Sequence, residues 1–279
     1  MKNVLLPTDF SENSWNAIKY ALELYKKTTC NFYLLHVTLI PYYTTGDYPI
    51  IPTSDILEKT ILEQAKDALN KLMQKINKLP KNSKHHFYTL SSYDSFISAV
   101  KTHIDEKKID LIIMGTKGTS GLSEVIVGSN TGDLITKVKH PVLIVPEKAV
   151  YTIPKEIAFP TDYNIFYHPK ILNSITELAK MHNATIRILH ISKKDEILTD
   201  SQLENKEFLS IFFIDEKHSF HRITNKNIEE GVQCFIESRD INMIIMVAKN
   251  LNLFQRILFK PTVEEISYHI ETPFLVLHE

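Results

Sequence analysis

The sequence predicts an α/β protein built from two tandem domains, each an open, mainly parallel sheet of five strands with helices on both faces. The first observation behind this prediction is an internal repeat in the 279-residue chain, in which the block at 110–145 returns at 242–277 with no gap. The second is that short apolar segments alternate with amphipathic ones in each copy. Strands that alternate with helices require crossover connections, which produce parallel sheets covered on both faces.

The repeat also includes the beginning of each copy. VLLPTDFS at 4–11 corresponds to IAFPTDYN at 157–164, and FYLLHV at 32–37 corresponds to IRILHI at 186–191. A chain of this length fits one domain or two, so it is the repeat that decides for two domains of about 140 residues each.

The domain boundaries follow from the limits of the repeat. We expect a first domain at 1–147 and a second at 156–279. The stretch between them, PEKAVYTIPKE at 146–156, contains Pro146 and Pro154 and is interpreted as the linker.

Apolar periodicity predicts the elements of the first half in order. Short apolar runs predict strands, and apolar residues spaced three and four apart predict helices. The first helix, for example, places Trp15, Ile18 and Leu22 on one face. The predicted order is strand 4–7, helix 14–26, strand 32–37, helix 56–79, strand 87–90, helix 93–107, strand 110–114, helix 129–138 and strand 142–145.

Charge and cysteine content exclude several classes of protein. Lys plus Arg is 32 and Asp plus Glu is 33, so no net charge favours nucleic acid or an anionic membrane as a partner. The N-terminus enters a strand at once, without a long apolar run or a cleavable leader, so neither secretion nor a membrane span is expected. Cys30 and Cys234 do not match in the repeat and predict no disulfide, which makes a reducing cytoplasm the expected location.

The most informative segment is a glycine-containing loop that only the first copy keeps. An apolar run ends at Met114, and a glycine follows it directly. A second glycine comes after two intervening residues, and a glycine-serine pair comes after nine more. These are Gly115, Gly118, Gly128 and Ser129. The corresponding positions of the second copy hold Val247, Asn250, Lys260 and Pro261.

The chemistry of this loop indicates an anion site. Glycine lets backbone amides come close to a ligand, and a side chain at Gly118 or Gly128 is expected to force φ values that only glycine adopts readily. A helix then begins near Asn130, and its free N–H groups and positive dipole end favour an anion. In the second copy Lys260 adds a bulky side chain and Pro261 lacks an N–H. One half of the chain is therefore predicted to keep a phosphate-type loop.

Asp9 is expected at the same carboxyl edge of the sheet, where open α/β folds bind ligands. There it would accept a hydrogen bond from a ribose hydroxyl or hold a metal ion. A structural interpretation stays open, because aspartate also fixes turns and caps helices, and Asp162 keeps the position in the second copy. The glycines have a simpler interpretation too, as a tight turn.

Other conspicuous residues receive weaker interpretations. His36 and His190 recur at strand ends and are interpreted as structural. Tyr42, Tyr43 and Tyr48 belong either to a lid over the ligand or to an irregular surface loop, and the residues leave both alternatives open.

These motifs together resemble the universal stress protein family in its tandem two-domain form. The resemblance lies in the Pro-Thr-Asp turn at 7–9, the His36-Val37 strand end, the MGTKG and VGSNT segments and the HPVLIVP block, and it extends over nearly the whole chain. It implies a Rossmann-like fold of the adenine nucleotide α-hydrolase type. The family's ATP-binding subclass is recognised by this same glycine spacing. The Walker signature GxxxxGK[ST] is absent.

The resemblance also implies a set of contacts for ATP, with Mg²⁺ or Mn²⁺, in the first domain. It places the adenine contact on the backbone at Val37 and the ribose contact on Asp9. The other site residues that it implies are Pro7, Thr8, Met114, Gly115, Gly118, Gly128, Ser129, Asn130 and Thr131. The second domain matches at the Pro-Thr-Asp turn but fails throughout the loop, so one nucleotide per chain is expected.

Three classes of function stay open. The first is a nucleotide-binding stress-response module that senses or stores an ATP-bound state. The second is a slow ATPase or phosphotransfer enzyme, for which the loop offers no dedicated base, no second carboxylate beside Asp9 and no arginine. The third is a dimerisation scaffold in which nucleotide is incidental.

The closing strands, HPVLIVP and TPFLVLHE, predict how the two domains meet. Both are short, apolar and at the sheet edge in the resembled fold, and an exposed apolar edge must be paired or covered. We expect Val142–Val145 to pair antiparallel with Phe274–Leu277 of the same chain, which gives an intramolecular pseudo-dimer. A homodimer of whole chains, if one forms, is expected to use other surfaces.

Overall fold

The computed structural model describes residues 1–38, 43–45, 48–50, 55–116, 128–192, 196–248 and 271–278. The elements of the first half are β1 (Lys2–Pro7), α1 (Glu12–Leu24), β2 (Cys30–Thr38), β3 (Tyr43–Thr45), β4 (Tyr48–Ile50), α2 (Asp55–Asn77), β5 (His85–Tyr93), α3 (Phe96–Lys107), β6 (Leu111–Gly115), α4 (Ser129–Lys137) and β7 (Val142–Val145). Those of the second half are β8 (Glu156–Pro160), α5 (Pro169–His182), β9 (Thr185–Ser192), α6 (Asp200–Phe212), β10 (His218–Thr224), α7 (Ile228–Ser238), β11 (Met243–Val247) and β12 (Phe274–Leu277).

One sheet of ten strands runs through both halves of the chain. Its order is β10-β9-β8-β11-β12-β7-β6-β1-β2-β5, and the neighbours within each half run parallel. Each half thus contributes five parallel strands with helical crossovers. The open, mainly parallel α/β fold predicted from the repeat is confirmed.

Within the sheet, the two halves are joined by an antiparallel ladder between β7 and β12. Phe274 lies opposite Ile144, and Leu275 lies opposite Leu143. The pairing expected from the apolar closing strands is present. Because all strands within one half run parallel, this ladder points the carboxyl ends of the two halves toward opposite edges of the sheet.

Two apolar cores lie on the two faces of the sheet. Buried side chains of α1, α2, α5 and α6 pack on one face, and those of α3, α4 and α7 pack on the other. With both faces covered, the ends of the strands are the places left for a ligand. In the described ranges, no helix is both long and apolar enough to cross a membrane.

Helix starts follow the capping residues rather than the apolar pattern. The side chain of Ser11 caps α1. The helix predicted at 93–107 begins at Phe96, because Ser95 caps it and Tyr93 still pairs in β5. The prediction is wrong for these first residues, since an aromatic residue fits a strand end as well as a helix.

A short antiparallel hairpin, β3 with β4, lies outside the main sheet. It falls in the segment that the sequence assigns either to a lid or to a surface loop. Tyr42 and the side chains of Tyr43 and Tyr48 lie outside the described residues, so both interpretations stay open.

Candidate functional site

The carboxyl ends of β1, β2 and β6 meet at one edge of the sheet. β1 lies between the other two, with Leu5 opposite Ile112 of β6 and Pro7 opposite Leu35 of β2. This register brings together three groups of the predicted site residues. The first group is Pro7, the last residue of β1, with Thr8 and Asp9 after it. The second is Val37 in β2, and the third is Met114 and Gly115 in β6. Ser129, Asn130 and Thr131 open the helix that follows β6.

One oxygen of Asp9 fixes the turn that leaves β1. Its Oδ1 accepts hydrogen bonds from the Ser11 N–H at 3.1 Å and from the Ser11 hydroxyl at 2.6 Å. The Thr8 hydroxyl accepts from the Phe10 N–H at 3.0 Å in the same turn. Asp9 therefore has the turn-fixing role that the sequence left open, and this role holds its carboxylate at the sheet edge.

The same turn contains a residue in the left-handed backbone region. Phe10 has a φ of 64°, which a bulky side chain rarely adopts. Its ring packs against His36 with the ring centroids 4.5 Å apart. His36 in turn has its Nδ1 2.8 Å from the Thr8 carbonyl oxygen, and donation to a carbonyl requires the proton on Nδ1. His36 thus has a structural role as a support of the turn.

The second half repeats this turn closely. Asp162 Oδ1 accepts from the Asn164 N–H at 3.0 Å, and Tyr163 has a φ of 57°. The Tyr163 ring stacks on His190 at 5.0 Å, and His190 Nδ1 lies 3.0 Å from the Thr161 carbonyl oxygen. The aspartate turn and its histidine therefore belong to the shared architecture, and by themselves they do not indicate a ligand.

The start of α4 presents backbone amides at the first-half edge. Gly128 is its N-cap, and no side-chain cap or first-turn acidic residue accompanies it in the described chain. The Gly128 N–H donates to the Thr116 carbonyl at 2.5 Å, and the Thr131 hydroxyl donates to the Gly115 carbonyl at 3.0 Å. These bonds fix the helix start against the end of β6. A helix N-terminus with free amides and no acidic side chain favours an anion.

The backbone at Gly128 does not itself demand glycine. Its φ is −64° and its ψ is 161°, a conformation open to other residues. The expectation that a side chain at this position forces unusual φ values is wrong, so any need for glycine comes from space at the helix start. Gly118 lies outside the described residues, and the same expectation there stays a prediction.

Gly115 is restricted to glycine by a neighbour that sequence reasoning missed. A Cβ at this position would lie 2.7 Å from Cγ and Oδ1 of Asn13, a buried residue in the first turn of α1. The signal available in the sequence was that both positions change together in the second copy, to Phe166 and Val247.

The corresponding edge of the second half keeps a cleft of about 220 Å³, lined by Asp162 and His190 among others. The turn is braced from α6, because the Gln202 side-chain amide donates to the Asp162 carbonyl oxygen at 2.8 Å. Asn250, Lys260 and Pro261 lie outside the described residues. The loss of the loop in this half therefore rests on the sequence.

The described residues offer a divalent cation little by themselves. Among them, no three His, Cys, Asp or Glu side chains are grouped so that they hold a metal. Asp9 supplies one carboxylate at the first-half edge. An ion there would take its remaining oxygen ligands from a bound anion and from water, as Mg²⁺ commonly does.

Fold and site together define a class, the open α/β proteins in which a helix N-terminus that favours an anion lies at the same sheet edge as a strand-end aspartate. The model of the Universal stress protein family matches residues 1–146, which is more than half of the chain. The protein therefore belongs to the universal stress protein family.

The chain is similar to several known proteins. A universal stress protein from Methanocaldococcus jannaschii is 29% identical over 155 residues, which are 53% of this chain and 96% of that protein. The crystal structure of a universal stress protein from Archaeoglobus fulgidus shares the fold with a TM-score of 0.72 at 16% identity, over 99% of this chain and 98% of its own. Another universal stress protein from that organism, solved in complex with dAMP, has 14% identity and a TM-score of 0.33, over 46% of this chain and 98% of its own.

Proposed function

We propose that the protein is an ATP-binding regulatory module of the stress response, with one nucleotide site in its first half. The observation that carries this proposal is the start of α4. Its first amides follow the N-cap Gly128 and are fixed against the end of β6, at the same edge as Asp9. An anionic chain of phosphates matches such amides, and an attached ribose reaches the turn after β1.

Each part of the nucleotide is assigned to its own element. The triphosphate is proposed to bind the amides of Ser129, Asn130 and Thr131 at the start of α4 and to lie against the backbone at Gly115, Gly118 and Gly128. The ribose is proposed to bind Asp9, and the adenine the backbone at Val37, with Pro7, Thr8 and Met114 completing the site. Bound Mg²⁺ or Mn²⁺ would neutralise phosphate charge.

The second half, 156–279, is proposed to be the structural partner of the first, 1–147. Its strand β12 pairs with β7 and so covers the apolar edge of the nucleotide-binding half. This gives the degenerate half a function that needs no ligand, within an intramolecular pseudo-dimer. We place this module in the cytoplasm on the sequence grounds given above.

Binding is favoured over catalysis by the residues near the proposed phosphates. Efficient phosphoryl transfer uses a positioned base and a cation, often an arginine, at the transferred group. All four arginines, Arg187, Arg222, Arg239 and Arg256, lie in the second half, whose carboxyl ends face the opposite edge of the sheet.

Calorimetric titration of the full chain with ATP and Mg²⁺ tests the proposal. One site per chain is the expected result, and two equivalent sites or no binding contradict it. Mass spectrometry of nucleotide that co-purifies with the protein separates the three classes of function. Intact ATP supports the regulatory module, ADP with measurable turnover supports the enzyme, and an empty site supports the scaffold.

A further inference from the structure

Asn13 connects the two sides of the first-half edge, and we propose that it is a positioning residue for the nucleotide site. This inference rests on the proposed function, because the site that Asn13 positions is the one proposed to hold ATP.

The contact between Asn13 and Gly115 is closer than any other residue at position 115 would allow. Asn13 is 8% exposed. A Cβ built on Gly115 would be 2.7 Å from its Cγ, 2.7 Å from its Oδ1 and 2.9 Å from its Nδ2. The whole amide group thus occupies the space of the missing side chain. Because interiors are close-packed, such a contact fixes α1 relative to β6.

On one side of this contact, the start of α1 is hydrogen-bonded to the turn that contains Asp9. Ser11, the N-cap of α1, donates its N–H and its hydroxyl to Asp9 Oδ1. The hydroxyls of Ser14 and Thr8 are 3.0 Å apart. A shift of the first turn of α1 therefore moves the Asp9 carboxylate with it.

On the other side, the end of β6 is hydrogen-bonded to the start of α4. The Gly115 carbonyl accepts from the Thr131 hydroxyl, and the next carbonyl, of Thr116, accepts from the Gly128 N–H. A shift at Gly115 therefore moves the amides that open α4. The amide of Asn13 lies between these two groups and sets the distance between the carboxylate and the amides.

The second half shows what the fold does without this contact. Val247 stands at the position of Gly115 and is 3% exposed, whereas Phe166 stands at the position of Asn13 and is 54% exposed. The helix begins later, at Pro169, and the Tyr167 hydroxyl takes over the contact with the turn by donating to Thr161 Oγ1 at 2.8 Å. The turn survives there, but its helix no longer docks on the end of the strand through residue 166.

Two ligands distinguish positioning from general stability. ATP has to reach both the Asp9 turn and the amides of α4, whereas adenosine lacks the phosphates and reaches the turn and the backbone at Val37 but not those amides. A changed distance between the two groups therefore weakens ATP binding and leaves adenosine binding as it was. A loss of folded protein weakens both equally.

The test uses the full chain with Asn13→Ala, Gly115→Ala and the double variant, and measures the Kd of Mg²⁺-ATP, the Kd of adenosine and the urea unfolding midpoint. Each single variant should weaken ATP binding by about tenfold or more, as expected for ångström-scale misplacement of binding groups, and adenosine binding by less than about twofold. The double variant should unfold at a higher urea concentration than Gly115→Ala, because the new methyl group enters the space that the amide leaves.

Asn16→Ala is the matched control on the same helix. The Asn16 amide donates to the carbonyls of Ala149, Glu147 and Pro146 in the segment after β7 and not to the turn or to the start of α4, so this variant should lower the unfolding midpoint without changing the ratio of the two Kd values. If Gly115→Ala does not fold, the Kd values of Mg²⁺-ATP and adenosine measured with Asn13→Ala alone test the inference.

Two results overturn the inference. The first is an Asn13→Ala variant that binds Mg²⁺-ATP and adenosine with equally weakened affinity, or binds both with unchanged affinity. The second is a double variant whose urea midpoint is no higher than that of Gly115→Ala. Wild-type protein that binds neither ligand overturns the proposed function, and the positioning role with it. These failures are distinguishable, because only the last appears in the wild type.

Discussion

Val276 lies directly opposite Val142 in the antiparallel ladder that joins the two halves of the sheet. Both residues are fully buried. The ladder gives β7 and β12 a neighbour on each side, so that neither apolar strand remains an open edge. An open edge of this kind pairs readily with another chain.

Removal of the second half should therefore make the first half self-associate. We expect a fragment of residues 1–147 to form dimers through β7, whose outward side is no longer covered by β12. Analytical ultracentrifugation of the fragment and of the full chain at equal concentration measures this. A fragment that is folded by circular dichroism and stays monomeric contradicts the assignment of β7 as the exposed edge.

Substitution of Gly128 by valine should abolish ATP binding without unfolding the protein. The backbone conformation at this position suits valine, but valine is a poor N-cap, and its branched side chain crowds the amides that open α4. Calorimetry with Mg²⁺-ATP measures the loss. Thr136→Val, later on the same helix, is the control and should bind normally. Unchanged affinity in a folded Gly128→Val protein would mean that the start of α4 is a turn without a phosphate role.

Acidification should weaken the fold through two histidines at one end of the joining ladder. Extending the register by two residues places His140 opposite His278. Burial lowers the pKa of His278 to about 4, helped by the nearby His140 and Lys139, and burial also lowers the pKa of His140.

The unfolded chain therefore takes up protons that the folded chain does not. The stability is fully present above about pH 6.5 and is lost as the pH falls toward about 4. Urea midpoints measured between about pH 7.5 and pH 5 should fall, and His278→Gln should reduce this fall. His86→Gln, at an exposed position, is the control. Equal slopes in the wild type and His278→Gln would show that this histidine does not contribute.

A bidentate ion pair between β8 and β9 should contribute measurably to stability. Arg187 Nε lies 2.5 Å from Glu156 Oε2, and Nη2 lies 3.0 Å from Oε1, with the two side chains 22% and 27% exposed. Arg187→Met should lower the free energy of unfolding by about 1–3 kcal/mol, because it leaves a partly buried carboxylate without its partner.

Two comparisons check this interpretation by urea unfolding. Arg187→Met with Glu156→Leu should be less destabilised than Arg187→Met alone, because no charge is left unpaired. Breaking the exposed pair of Lys26 and Glu23, 68% and 49% exposed, should cost less than about 1 kcal/mol. Equal effects at both pairs would contradict the special role of Arg187.

The fold was predictable because its signals are local or repeated. Apolar runs mark the strands, and the repeat gives the two halves and their closing strands, such as Val142–Val145, which the structure reproduces. The start of α3 was not predicted well, because the apolar pattern continues through Tyr93 and only the cap at Ser95 shows where the helix begins.

The candidate site was predictable to the level of elements but not of contacts. Parallel strands bring their carboxyl ends to one edge, so the meeting of Asp9 with Gly115 and α4 followed from the topology. The contact of Asn13 with Gly115 joins residues about a hundred positions apart in the chain, and no local pattern marks it. For the same reason, the sequence predicts that the glycine at 115 serves a ligand or a tight turn, and it does not predict the contact with a neighbouring side chain.

Because β7 and β12 pair antiparallel, the carboxyl ends of the two sets of strands lie at opposite edges of the sheet, and these two edges differ in chemistry. The edge with Asp9 and the start of α4 faces one way, and the cleft lined by Asp162 and His190 faces the other. Whatever occupies one end does not compete for space with what occupies the other. The chain thus presents two separate strand-end surfaces at opposite edges of one sheet, and the halves that carry them are held together by the ladder, by a shared apolar core and by the Lys2–Glu177 ion pair.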